Sequence, residues 1–417
     1  MPSLDRRLGY ILTALTSLGA IAALFSIAAS EILFALALAV LLASRLVSRR
    51  EVVFPSRIRF PLVAFLAWTF LSLAFSSAPL SGLSQVRKIF LFLVLVLVYN
   101  AYQYRRQIER TFHGVLLAGT VAAASGLIQF FRDYLMIERS GDAFYKDYVT
   151  HQITGFMSHW MTYSGELMLV VVLLCSFLLF IPSTEFSRWW WLCLPPMALA
   201  LLASFTRGVW VGTLAGVTYL VARYRRPLFS LLVPATVLLL YLLAPRSLQQ
   251  RERSIFDVQT DSSNRARIVM LHTGIAMIAA HPLFGVGPER VGPEFLRYKP
   301  ATLALPPGWY GHLHNDYLQI AAERGIPCLV FLLWFFYEIL QEGWRLGRSQ
   351  VKTVRAMGHS EVAVTVALMV AGLFEFNFGD SEVLMIYLFL ISATVSWTRL
   401  ATAPLDRGKP HERFTTL

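Results

Sequence analysis

Long apolar runs separated by short polar segments recur from the first residues of this chain to near residue 400. The runs are continuous rather than alternating, and most are long enough for a helix to cross a bilayer. The pattern predicts about twelve transmembrane helices, at roughly 11–30, 32–47, 60–76, 87–104, 111–131, 160–181, 189–206, 209–223, 228–244, 316–340, 361–376 and 382–400. The expected fold is an all-α polytopic membrane protein with a large, partly helical extracytoplasmic loop. In that division residues 1–244 hold transmembrane helices 1–9 and residues 245–315 form the loop. Residues 316–403 then hold helices 10–12, and 404–417 form a polar cytoplasmic tail.

The large loop has internal signals of its own. Asp261-Ser262-Ser263 can cap a helix that begins near Asn264, and Ile268, Leu271, Ile275 and Ile278 recur at helical spacing. His281-Pro282 stops that helix. Arg265 falls in its first turn and Arg267 close behind, where cations oppose the helix dipole unless an anion answers them. Gly285-Val-Gly287-Pro288 and Pro306-Pro-Gly308 read as turns. The first lacks the strand–turn–helix setting of a dinucleotide fingerprint, so no nucleotide role is assigned to it.

Composition narrows the class. Of 417 residues, 56% are hydrophobic and 15% charged, with a mean hydropathy of +0.57. A soluble domain could not hide that apolar surface. Cys175, Cys193 and Cys328 all sit inside apolar runs, without metal-ligand spacing or a disulfide framework. The apolar run after Asp5-Arg6-Arg7 ends at no small-residue cleavage site, so it is expected to remain as the first span. The net charge of +12 is unevenly spread: most Arg and Lys fall in segments on one side of the expected topology. The positive-inside tendency then puts both termini in the cytoplasm and residues 245–315 outside. The basic excess is a topology signal, and no nucleic-acid partner is expected.

Candidate chemistry gathers late in the chain. Gly308-Trp-Tyr-Gly-His312-Leu-His314-Asn315-Asp316-Tyr317 puts two histidines, an amide and a carboxylate at the mouth of an apolar helix, where polar groups usually face a cavity or water. Glu375, Asn377, Asp380 and Glu382 form a second polar cluster on the same side, with Glu166 a further candidate. Arg87-Lys88 begins the fourth span on the charge-poor side, which suits an anion-binding pair or an interfacial anchor. Two histidines at i and i+2 lack a third ligand nearby, so neither metal nor other cofactor is expected.

The order of Thr206-Arg207-Gly208, Ser262-Ser-Asn-Arg-Ala-Arg267, His281-Pro-Leu-Phe-Gly-Val-Gly287, His314-Asn-Asp-Tyr-Leu-Gln319 and Glu323-Arg-Gly-Ile-Pro327 resembles the O-antigen ligase and polymerase superfamily of bacterial envelope-glycan enzymes. The resemblance implies a glycosyltransferase of the inner membrane, acting on the periplasmic face with a polyprenyl-diphosphate-linked glycan as donor. The acceptor would be lipid A–core for a ligase and a second lipid-linked unit for a polymerase; a protein O-glycan ligase is a third relative. The family's two arginines and histidine map onto Arg207, Arg265 and His314. Arg267, Arg87 and Lys88 are secondary candidates for the diphosphate. His312, Asn315, Asp316, Tyr317, Glu375, Asn377, Asp380 and Glu382 are expected to support the site or meet the acceptor. The competing expectations are snorkelling for Arg207, a salt bridge to Asp257 or Asp261 for Arg265, and a transporter of lipid-linked glycan for the whole chain.

Overall fold

The computed structural model describes residues 2–49, 51–55, 57–140, 148, 152–183, 186–224, 262–305 and 311–402. The helices are α1 (Pro2–Ala22), α2 (Ile27–Ser48), α3 (Arg59–Ala74), α4 (Leu83–Ile89), α5 (Leu93–Ala101), α6 (Arg105–Ser140), α7 (Trp160–Phe180) and α8 (Leu194–Ala203). They continue as α9 (Arg207–Tyr224), α10 (Ser262–Ala280), α11 (Val291–Tyr298), α12 (Asp316–Arg324), α13 (Ile326–Leu346), α14 (Lys352–Ala371) and α15 (Ser381–Thr402). Short 3-10 turns join some of them, and no strand occurs among the described residues.

The expectation of twelve transmembrane helices is corrected. Among the described residues six helices are long and apolar enough to cross a membrane: α2, α6, α7, α13, α14 and α15. Helix breaking inside apolar sequence removes two of the expected spans, and α3, at 16 residues, is shorter than a membrane crossing needs. The expected span 87–104 is divided into α4, a 3-10 turn at Phe90–Phe92 and the nine-residue α5. The expected span 189–206 is a 3-10 turn at Arg188–Cys193 followed by α8, with Pro at the start of α8. Gly325 separates α12 from α13, so the expected span 316–340 persists in α13 alone. The expected span 228–244 lies outside the described residues.

Three helices form the centre. Helices α7, α14 and α15 are mostly buried, whereas α2 and α13 turn much of their apolar surface outward. Helix α9 packs onto α14 along a seam of glycines four residues apart. A Cβ at Gly212 would lie 2.6 Å from the Ala367 carbonyl oxygen, and one at Gly216 would lie 2.9 Å from that of Ala363. Small residues let the backbones approach this closely and gain dispersion contacts where lipid offers no hydrophobic drive. At the head of the seam a Cβ at Gly208 would meet the Phe374 side chain at 2.7 Å and that of Glu375 at 3.3 Å. The seam therefore carries Arg207 to the turn between α14 and α15.

The α12–α13 break is closed by the segment that follows α10. Val286 N donates to Ala322 O (2.9 Å), Gly287 N to Glu323 O (2.9 Å), and Ile326 N to Pro282 O (2.8 Å). Trp68 Nε1, from α3, donates to Arg324 O at 3.1 Å. Carbonyls that α12 leaves unpaired at its C-terminus, and an amide that α13 leaves unpaired at its N-terminus, thus find partners. Two motifs distant in sequence, 281–287 and 323–327, form one joint.

The bundle is chemically polarised. Arg45 bonds Asn100 Oδ1 at 3.1 Å, Arg399 lies over Tyr99, Arg105 over Trp397 and Arg223 over Trp344, all at the end where α2, α5, α9, α13 and α15 terminate and α6 begins. The opposite end carries the candidate site.

Candidate active site

The site is built on the loop before α12 and on the turn between α14 and α15. Asn315 caps α12, accepting from Leu318 N at 2.8 Å, and its Nδ2 donates to Leu373 O at 2.9 Å. Asp316, 2% exposed, fastens the same turn from within. Its N–H donates to Gly372 O at 2.7 Å and its Oδ1 accepts from Phe378 N at 2.9 Å. Tyr317 donates to Met369 O at 2.7 Å. In this geometry Asn315 and Asp316 bind the 372–378 turn to α12, and Tyr317 binds α12 to the last turn of α14.

That fastening sets His314. Its φ is +47°, in the left-handed region that few residues other than glycine adopt. The preceding amide, Leu313 N–H, is held by Gln319 Oε1 at 2.8 Å. The His314 Nδ1 lies 3.0 Å from Glu375 Oε2, and Glu375 Oε1 accepts from Arg267 at 2.8 Å. Arg267 also donates to Phe374 O at 2.7 Å. Burial disfavours charge on Glu375, but the Arg267 guanidinium and the His314 hydrogen bond outweigh it and hold the carboxyl below its ordinary range.

A cavity of about 250 Å³ opens beside this chain of contacts, lined by His159, Met161, Thr162, His312, His314, Glu375, Phe376, Asn377 and Asp380. The rings of His312 and His314 stand 4.2 Å apart. Burial first, then the neighbouring His314, push the His312 imidazole down to about 4. Asp380 accepts from Thr162 Oγ1 at 2.5 Å and caps α15 through Val383 N at 3.3 Å. Asn377 is 3% exposed, and its Nδ2 has no hydrogen-bond partner among the described residues. Such a buried, unsatisfied donor is costly unless something meets it.

The other sequence candidates are placed differently. Arg265 is exposed in the first turn of α10, two residues before Arg267, which makes the Glu375 contact. Asp257 and Asp261, its suggested partners, lie outside the described residues, as does the side chain of Arg87. Lys88 Nζ donates to Gly379 O at 3.0 Å and so reaches the same turn. Glu382 lies beyond the cavity lining, and Glu166 is buried in the second turn of α7 with Oε1 unpartnered among the described residues. No three His, Cys, Asp or Glu side chains among the described residues are grouped to hold a metal ion. Sequence reasoning missed His159, which caps α7 by accepting from Met161 N at 3.2 Å. Its position just before a long apolar run was the available signal.

Residues 191–333 match the family model described as O-Antigen ligase. A protein of Rickettsia felis named "Putative polysaccharide ligase" is 24% identical over 289 residues, which is 67% of this chain and 67% of that protein. Both findings support assignment to the O-antigen ligase and polymerase superfamily. With the membrane-length helices, this supports a membrane-associated enzyme of the glycan-ligase type. The superfamily segment contains Arg207, Arg265, Arg267 and His314 but ends before Glu375, Asn377 and Asp380. The cavity joins residues of the matched segment to a turn that lies outside it.

Proposed function

We propose that this superfamily member transfers a glycan from a polyprenyl-diphosphate carrier to lipid A–core oligosaccharide at the extracytoplasmic face of the inner membrane. The observation that carries the reading is the single cavity that gathers His314, Glu375, Asn377 and Asp380, at the end of the bundle opposite the basic helix termini. By the positive-inside tendency that end faces outward. Arg207 opens α9 where Gly208 packs against Phe374 and Glu375. A guanidinium cannot be neutralised and offers a planar fork to the diphosphate as its charge grows. His314 accepts or orients the acceptor hydroxyl proton. Asn377, Asp380 and His312 offer a donor, an acceptor and an imidazole to sugar hydroxyls along the same wall. The lipid diphosphate is an activated leaving group, so its arginines and the imidazole suffice without metal in this reading.

The test is reconstitution of the purified chain with one lipid-linked glycan and two competing acceptors, lipid A–core and a second lipid-linked unit. Product on lipid A–core, abolished in His314→Ala while donor binding persists, is expected. Product on the lipid-linked unit alone would make the chain a polymerase. Transfer unchanged in His314→Ala would remove the mechanism.

A further inference from the structure

We propose, on the basis of that transferase reading, that Glu375 is a positioning residue which fixes the His314 tautomer, and that Arg267 fixes Glu375 in turn. The acceptor contact expected of Glu375 does not suit its surroundings. Its side chain is 3% exposed, and its two oxygens are engaged on opposite sides, by His314 Nδ1 at 3.0 Å and by Arg267 at 2.8 Å. The guanidinium also grips the preceding residue's carbonyl, Phe374 O, at 2.7 Å. Carboxylate and backbone of the turn are therefore clamped together from α10. Three segments distant in sequence, at 267, 314 and 375, converge on one imidazole whose own backbone is in the left-handed region. A fold that holds a histidine at φ +47° and buries a carboxylate beside it specifies the ring's orientation.

The chemistry follows from the charge. With a cation on its far oxygen, Glu375 is the hydrogen-bond acceptor, so the proton between them sits on His314 Nδ1. The other ring nitrogen, Nε2, is then the basic one. In the transfer step the acceptor oxygen bonds to the anomeric carbon, and the hydroxyl proton passes to Nε2. The bond from the anomeric carbon to the diphosphate oxygen breaks, and its electron pair leaves with the diphosphate. The imidazolium formed in that step is stabilised by Glu375. The acid position of Glu375, held below the ordinary carboxyl range, keeps it ionised throughout. His312 is a poorer base because its Nδ1 faces the His314 amide at 3.4 Å and its ring is driven neutral and weakly basic.

The experiment measures kcat and donor KM against pH for the reconstituted full chain, its Glu375→Gln variant and its Arg267→Gln variant, using a lipid-linked glycan donor. Glu375→Gln is expected to lower kcat by about a hundredfold or more with donor KM little changed. Removing the carboxylate also removes its stabilisation of the protonated ring, so the acid limb of kcat should move to lower pH. Arg267→Gln removes a cation and should move that limb to higher pH. His159, Asp316, Asp380, Lys88 and His312 also act on this cluster, and they are common to all three proteins. Opposite displacements of the limb are the signature that a purely structural ion pair would not produce. If Glu375→Gln does not fold, the Arg267→Gln profile decides, since that side chain is 33% exposed. An unmoved acid limb, or full kcat in Glu375→Gln, overturns the proposal. Absence of transfer by the parent chain would instead overturn the transferase reading beneath it.

Discussion

Gly325 lies so close to Leu283 that a Cβ at position 325 would stand 1.9 Å from the Leu283 carbonyl oxygen. The two residues belong to segments separated by α11, the loop before α12 and α12 itself. Gly325 also has φ +84°, which opens the angle between α12 and α13. Both the close approach and the left-handed backbone require glycine.

Gly325→Ala should therefore destabilise the protein severely, and Gly311→Ala should not. Gly311 has φ +86°, yet a Cβ there would meet nothing within 4 Å. Alanine at 311 incurs only the backbone preference, about 1–2 kcal/mol. At 325 the same cost is joined by a collision with backbone, which cannot rotate away. Thermal unfolding in detergent should show a much lower midpoint for Gly325→Ala than for Gly311→Ala. Equal losses would mean that the 281–287 segment does not press on the break.

The same joint shows what the sequence disclosed and what it withheld. Pro282, Gly285, Gly287 and Pro288 announced a helix stop and turns, and both are there, whereas the break at Gly325 was not foreseen, because 316–340 read as one span. Their mutual packing was invisible, because it depends on hydrogen bonds between segments some forty residues apart. The count of spans failed for a related reason. Hydropathy weighs side chains and ignores backbone breaks, so Pro195-Pro196 left no mark on it. At the site, His314, Asn377 and Asp380 were legible as polar groups in apolar surroundings. Glu375 was legible as a candidate but not as the bridge between Arg267 and His314, since nothing in the residues near 375 names a partner 61 or 108 positions earlier. The choice between Arg265 and Arg267 turned on helical register, which places Arg267 on the face toward Glu375 and leaves Arg265 exposed.

Acidification should destabilise the protein in two stages. His312 is depressed from 6.5 to about 4 in the fold, so between those values the unfolded chain takes up a proton that the native ring refuses. Stability therefore falls as pH drops through that window. Glu375 acts further down. Its folded value lies below the ordinary 4.5, so its contribution is present above that value and is lost as pH falls through the lower one. His312→Gln should flatten the first stage and leave the second. Unfolding midpoints measured across pH 7 to pH 3 would show the difference; an unaltered first stage would exclude His312 as its source.

Arg207 should not accept lysine as a simple positive charge would. Lysine retains the charge but loses the planar fork that can meet two phosphate oxygens. Charge-assisted hydrogen bonds contribute roughly 1.5–3 kcal/mol each, so losing one should slow transfer by about tenfold to a hundredfold. The glycine seam of α9 is untouched by the change, because Gly208 and not Arg207 makes the close contact with Phe374 and Glu375. A loss of activity in Arg207→Lys with an unchanged unfolding midpoint would thus belong to chemistry rather than packing. Arg297 on α11 is the control: its side chain is 73% exposed and lies 3.5 Å from Glu294, so Arg297→Lys should transfer normally. Normal transfer in Arg207→Lys as well, at saturating donor, would reduce Arg207 to an interfacial arginine and send the search for the diphosphate contact to Arg265, Arg267 and Lys88.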